Sequence, residues 1–242
     1  MFDRIPVVAQ RIGWKALWAS WCSRNVSAAE AQAAFARRYG GSGVLFTGSG
    51  TAAFYLALKA VARDTGADEV ILPAYTARTL VYAVRKAGLR PVLCDISLED
   101  FNIDIRQLQA MIGSRTLAVV AVHMFGIPVP GIAALKAALP QRVCLIEDFC
   151  QAMGGAVAGR PVGPFGQLSF CSFNRGKNLP LFSVGLLCVQ DAALWEPGRR
   201  QYQQVRAMPA GTAGLFLKMC ALAAVMRPEI YGLVAAGLSG LK

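Results

Sequence analysis

Strands that are apolar along their whole length, each followed by a helix, constrain this chain more than any other feature. VILPA at 70–74, PVLCDI at 91–96, LAVVAVHMF at 117–125 and RVCLIED at 142–148 are runs of this kind. Between them, TLVYAVRKAG at 79–88, IDIRQLQAMI at 103–112 and GIAALKAAL at 131–139 carry helical patterning. A sheet with one wet face shows alternating polarity, so unbroken apolar runs mark strands covered on both faces. Strand–helix alternation of such runs requires a mainly parallel sheet between two helix layers.

The rhythm opens and closes differently. AAEAQAAFARRY at 28–39 is built of strong helix formers and is stopped by Gly40, Gly41 and Gly43. VLF at 44–46 is a short strand, and a glycine turn then opens a helix. LSFCSF at 168–173 and GLLCVQ at 185–190 are strands joined without a full helix, which predicts a reversed pair at the end of the sheet. Seven strands follow from this reading. The expected fold class is α/β, a three-layer α/β/α domain with a mainly parallel seven-stranded sheet. A chain of 242 residues suffices for one such domain.

Three segments are expected. Residues 1–27 form a docking helix, with Trp14, Leu17, Trp18 and Trp21 at helical spacing. Residues 28–191 form the large α/β domain. Residues 192–242 form a short, helical, apolar tail: WEPGRRQYQQVR is helical after its Pro-Gly, and GLFLKMCALAAVM and IYGLVAAGLSGL follow. Each apolar half is shorter than the roughly 20 residues of a spanning helix. Packed helices are one reading of this tail and of the tryptophan helix; helices lying on a membrane surface are the other.

Composition narrows the function. Apolar residues make up 55% of the chain and charged residues 16%, so excess apolar surface calls for a partner or a membrane. The net charge of +11 suits anionic ligands. No basic run with interleaved aromatics and no zinc-finger spacing is present, which argues against nucleic acid as a partner. The single histidine, His123, cannot build a histidine metal site, and no metal is expected. The seven cysteines form no C-x-x-C pair and read as buried thiols in a reducing compartment. The first ten residues lack the apolar core of a secretory signal, so a cytoplasmic location is expected, with contact at the inner face of the membrane as the second reading.

Open α/β sheets bind ligands at the carboxyl ends of their strands. Asp148 closes one strand there, Lys177 follows another, and Gly50 and Thr51 begin a helix whose free N–H groups suit an anion. A lysine amine, an acid for a ring nitrogen and a phosphate cradle are the parts that pyridoxal phosphate requires.

The wording around these residues carries a resemblance. TGSGTAAFYLAL at 47–58, DEVILPAYT at 68–76, GLRPVLCDI at 88–96, FNID at 101–104, AVVAVHMFG at 118–126, LIEDFCQAMGG at 145–155 and GPFGQLSFCSFNRGKNL at 163–179 run in order from about residue 30 to 190. This chain resembles the DegT/DnrJ/EryC1/StrS sugar aminotransferases. The resemblance implies the large domain of a fold-type I transferase dependent on pyridoxal 5'-phosphate. It implies that Lys177 holds the cofactor and then moves a proton, its amine neutral when it attacks. Asp148 would keep the pyridine nitrogen protonated, Gln151 would stand beside the phenolic oxygen, and Ser172, Gly50 and Thr51 would bind the phosphate. Tyr75, Thr76 and His123 match positions that line the substrate, although a structural histidine bonded to backbone is an equal reading of His123. Relatives with His in place of the lysine are dehydratases, so Lys177 points to amino transfer.

The implied reaction takes an amino group, from glutamate, to a keto sugar carried on a nucleotide, in polysaccharide or related biosynthesis, within a homodimer. Three departures temper it. Ala77 stands where the family places an aromatic ring, the turn after the lysine reads LPLFSVGL and keeps only Gly185, and the tail is shorter than the family's second domain. They favour an alternative, a catalytically degenerate fold-type I protein acting as a binding or scaffold subunit at a membrane. A lipid-linked acceptor is a third reading.

Overall fold

The structure, a computed structural model, describes residues 13–22, 27–62, 66–174, 176–179, 184–204, 212–225 and 227. Its strands are β1 (Gly43–Thr47), β2 (Glu69–Pro73), β3 (Arg90–Cys94), β4 (Thr116–Val122), β5 (Cys144–Asp148), β6 (Ala156–Val157), β7 (Arg160–Pro161), β8 (Leu168–Ser172) and β9 (Gly185–Val189). Its helices are α1 (Trp14–Cys22), α2 (Ala28–Tyr39), α3 (Gly50–Val61), α4 (Arg78–Lys86), α5 (Ile105–Met111), α6 (Ile132–Ala138), α7 (Ala192–Gln203) and α8 (Thr212–Val225).

Seven strands make one sheet in the order β1-β9-β8-β5-β4-β2-β3. From β8 to β3 every pairing is parallel, and β9 runs antiparallel to both of its neighbours. The fold class is therefore the expected one. The apolar runs are explained by cover on both faces. Val70, Leu72, Ala118, Val120 and Ile146 face one cluster with α3 and α4, while Ile71, Val119, Ala121 and Leu145 face another with α5 and α6. Phe35 and Tyr39 of α2 join a third cluster over Val44, Leu186 and Cys188. A capping box between Ser27 and Glu30 fixes the start of α2.

Three expectations need correcting. The reversed strand β9 does not end the sheet; β1 lies outside it and pairs antiparallel to it. The run 117–125 stops being a strand at Val122, since His123 leaves the extended region and Phe125 turns to φ 54°. Helix α7 begins before the Pro-Gly rather than after it: Asp191 caps it by accepting from the Ala193 amide, and Pro197 lies inside. The small hairpin of β6 and β7 was not anticipated.

In α1, Leu17 is buried and Trp18 exposed, while the side chains of Trp14 and Trp21 lie outside the described residues. Helix α7 packs on α3 and β1, and Leu194 joins the core. Helix α8 covers most of GLFLKMCALAAVM; the second apolar half, 230–241, lies outside the described residues, as does most of the turn at 180–185. Among the described residues, no helix is long and apolar enough to cross a membrane.

The topology fixes the site. Because β1 and β8 are both antiparallel to β9, they share a direction, so α3 starts on the rim where β8, β5, β4, β2 and β3 also end. Thr47, Gly185 and Ser172 lie in one row across this rim.

Candidate active site

Asp148 ends β5 and is 7% exposed. Its Oδ1 accepts from the Cys150 amide at 3.0 Å. Burial pushes its carboxyl above the ordinary carboxylate range; hydrogen bonds from Cys150 and the charge of Lys177 pull in the opposite direction. Lys177 follows β8, the neighbour of the strand that Asp148 ends. The half-buried lysine lies in the loop after β8, where its amide donates to the Asn174 carbonyl at 3.2 Å. Asn178 fastens that loop to the loop after β5, donating to the carbonyls of Met153 at 2.9 Å and Gln151 at 3.5 Å.

The cradle lies beside them. Ser49 caps α3 by accepting from the Ala52 amide at 3.1 Å. The amides of Gly50 and Thr51 then lack intrahelical partners and point outward from the helix start. Gly50 sits against Ser172: a Cβ on Gly50 would lie 2.7 Å from the Ser172 Cβ and 3.3 Å from its Oγ. Gly185 permits the crossing above β9, because a Cβ there would stand 2.2 Å from the Ser49 carbonyl oxygen. This is a physical reason for the one glycine that the altered turn retains.

Gln151 is half-buried, with Oε1 accepting from the Phe125 amide at 3.0 Å and Nε2 directed to the Met124 sulfur at 3.6 Å. Tyr75 is exposed and Thr76 half-buried at the end of β2 on the same rim. His123 is different. It is fully buried, its Nδ1 accepts from the Val129 amide at 3.0 Å, and its Nε2 meets Glu147 Oε2 at 3.0 Å. Occupation of Nδ1 by a donor leaves the proton on Nε2, which donates to Glu147. His123 thus lies behind the site wall, not on it, and the structural reading of this residue is the one its surroundings explain.

Sequence reasoning missed Glu147, Asn178 and Asn102, none of which stands in a recognisable pattern. Glu147 is buried and accepts from the amides of Gly163 at 2.9 Å and Gly166 at 2.6 Å as well as from His123. The carboxylate preceding Asp148 was the available signal. Among the described residues no group of His, Cys, Asp or Glu could hold a metal. A cavity lined by Arg142, Gln167 and Asp191 lies at the opposite end of the strands and includes none of these groups.

The residues fit pyridoxal phosphate. A buried carboxyl that resists ionisation gains from a cationic ring N–H beside it. The contact of Gly50 with Ser172 leaves backbone amides and a hydroxyl where a phosphate needs donors. Lys177 supplies the amine.

Comparison with known proteins agrees. Residues 14–226 match the model of the DegT/DnrJ/EryC1/StrS aminotransferase family. The chain is 40% identical over 149 residues to a UDP-N-acetyl-3-dehydro-alpha-D-glucosamine 3-aminotransferase of Acidithiobacillus ferrooxidans, covering 60% of this chain and 40% of that protein. It is 32% identical over 178 residues to the spore coat polysaccharide biosynthesis protein SpsC of Bacillus subtilis, covering 74% and 46%. The chain therefore spans less than half the length of these relatives. The sugar aminotransferase CalS13 from Micromonospora echinospora superposes with a TM-score of 0.70 at 27% identity, over 87% of this chain and 61% of that one. Fold, rim and sequence agree that this chain belongs to the DegT/DnrJ/EryC1/StrS aminotransferase family.

Proposed function

We propose that this chain binds pyridoxal 5'-phosphate through Lys177 and transfers an amino group, from glutamate, to a keto sugar linked to a nucleotide. The observation that supports the reading is that Lys177, in the loop after β8, and the buried Asp148, at the end of the neighbouring β5, share one rim beside a helix start set against Ser172. The nucleotide sugar named for the Acidithiobacillus relative supports the substrate class, as does the net charge of +11.

Each residue has a task in this reading. Lys177 would hold the cofactor through its Nζ and would carry a proton between substrate carbon and cofactor. Asp148 holds a proton on the pyridine nitrogen, where its burial strengthens the interaction. Gln151, with Oε1 on the Phe125 amide, would offer Nε2 to the phenolic oxygen. Ser172 Oγ and the amides of Gly50 and Thr51 hold the phosphate. When bound, the cofactor supplies an electron sink for the substrate carbon. Residues 28–191 form the cofactor-binding unit, residues 1–27 dock on it and 192–242 extend it. The working assembly is a homodimer in the cytoplasm.

The test is spectral. Added cofactor should produce a visible absorption band that glutamate abolishes, and borohydride should fix the cofactor to Lys177. Lys177→Ala should lose both behaviours; an unchanged band in that variant overturns the proposal. The scaffold reading draws on Ala77, which caps α4 where the family places an aromatic ring. A chain that takes up no cofactor would favour it.

A further inference from the structure

Three aromatic rings stand exposed on the rim beside this site, and folding does not account for them. Tyr75 follows β2, Phe101 follows β3 and Phe125 follows β4. Their centroids are 6.1 Å (Tyr75–Phe101), 6.0 Å (Tyr75–Phe125) and 5.5 Å (Phe101–Phe125) apart. The residues are 51%, 40% and 57% exposed in the order Tyr75, Phe101, Phe125. A ring cluster stabilises a fold by leaving water, and these rings remain substantially wet.

Two of them also sit in costly backbone. Phe101 has φ 60° and Phe125 φ 54°, a region that bulky residues avoid. The surrounding structure holds both turns in place. Asn102, 1% exposed, accepts from the Met124 amide at 3.0 Å and donates to the Ile127 carbonyl at 3.3 Å, bolting the Phe101 turn to the Phe125 turn. The Phe101 amide donates to the Ser97 carbonyl at 2.9 Å. The Phe125 amide bonds Gln151, so the ring cluster and the catalytic rim form one hydrogen-bonded unit. Strain kept by a buried clamp, with the rings left in water, is the pattern of a binding surface.

We propose that Tyr75, Phe101 and Phe125 form a stacking subsite for a planar heteroaromatic ring, the base of the nucleotide that carries the sugar. The inference rests on the substrate class proposed above. Position favours the base over the sugar. Neighbouring strands lie about 4.8 Å apart, so the ends of β2 and β3 stand roughly 10–15 Å along the rim from Asp148. The sugar carbon must meet Lys177, and the base lies beyond two phosphates. Chemistry favours it too: the three side chains carry no charge for a phosphate, and base–aromatic stacking tolerates different bases.

The test uses the full chain loaded with pyridoxal phosphate, titrated calorimetrically with UDP, GDP and inorganic pyrophosphate. Phe125→Gly removes a ring and relieves the backbone while keeping the N–H that bonds Gln151, so the variant should fold. Tyr75→Ala removes a second ring. Each should weaken UDP and GDP binding by about tenfold or more and leave pyrophosphate binding within about twofold. Nucleotide affinity unchanged in both variants, or absent in the parent, overturns the subsite. So does a variant that alters only self-association in sedimentation, which would assign the rings to a second copy. Nucleotide binding in a chain that cannot load cofactor on Lys177 would sink the aminotransferase reading and leave the subsite standing.

Discussion

The side-chain amide of Asn178 donates to the backbone carbonyl of Met153 at 2.9 Å, and this bond joins the loop of Lys177 to the loop that follows Asp148. The amine and the carboxylate come from different strands, so their relative position depends on such ties. Asn178→Ala should weaken pyridoxal phosphate binding about tenfold, measured by spectral titration. Loss of these two hydrogen bonds at an exposed site, to Met153 and more weakly to Gln151, should cost only about 1–2 kcal/mol of stability in urea melts. Unchanged cofactor affinity would show that the loop holds its place without Asn178.

The contact of Gly50 with Ser172 gives a second prediction. Gly50→Ala places a methyl 2.7 Å from the Ser172 Cβ, and 3.3 Å from its Cα and Oγ. Overpacking of this kind costs about 1–3 kcal/mol, and the shifted helix start should also lose phosphate affinity. Combining it with Ser172→Gly removes the Cβ, the atom in closest conflict, and the Oγ. The pair should therefore be less destabilised than the sum of the singles, read from thermal melts as a double-mutant cycle. Strict additivity would place the contact elsewhere.

The legibility of this chain in its sequence follows the range of the forces involved. Burial on both faces acts residue by residue, so the apolar runs gave all seven sheet strands. Strand order depends on which partners meet, so the place of β9 inside the sheet left no mark in GLLCVQ. Asp148 was legible because a carboxylate ending an apolar strand is costly without a use. The nearness of Gly50 to Ser172 was implied only by the family resemblance, since their strands are separated by β9. The Asn102 clamp and the Asn178 tie join loops distant in sequence, and an asparagine in a loop carries no sign of its partner.

Glu147 and His123 give a third prediction, separating support from catalysis. Glu147 accepts from Gly163, Gly166 and His123 with both oxygens. Glu147→Gln keeps the shape but turns an N–H group toward one of these donors. Each buried group left unsatisfied costs about 1–3 kcal/mol, so the melting temperature should fall by several degrees. The fraction that remains folded should still load cofactor on Lys177, measured by borohydride trapping per folded molecule. Full stability with lost loading would instead place Glu147 in the chemistry.

Asp148 sets stability against function, and pH should expose the conflict. Burial raises its folded pKa above the ordinary value of 3.8. Below that value the carboxyl is protonated in both folded and unfolded states and costs nothing. As pH rises through the folded value, the native protein must either ionise a buried group or retain a proton that the unfolded chain has released, and stability falls. Above the folded value the cofactor-free parent carries this penalty in full. Asp148→Asn removes the charge and keeps an oxygen for the Cys150 amide, so the cofactor-free variant should melt higher at pH 7. The difference should shrink as pH is lowered through the folded pKa and vanish near the ordinary one. With cofactor the order should reverse, because a neutral amide cannot hold the proton on the pyridine nitrogen and the stabilisation by binding is lost. Melts of both proteins from pH 4 to 8, with and without pyridoxal phosphate, read all of this in one series. A variant less stable than the parent at every pH without cofactor would mean that the carboxyl of Asp148 serves the fold rather than the ligand.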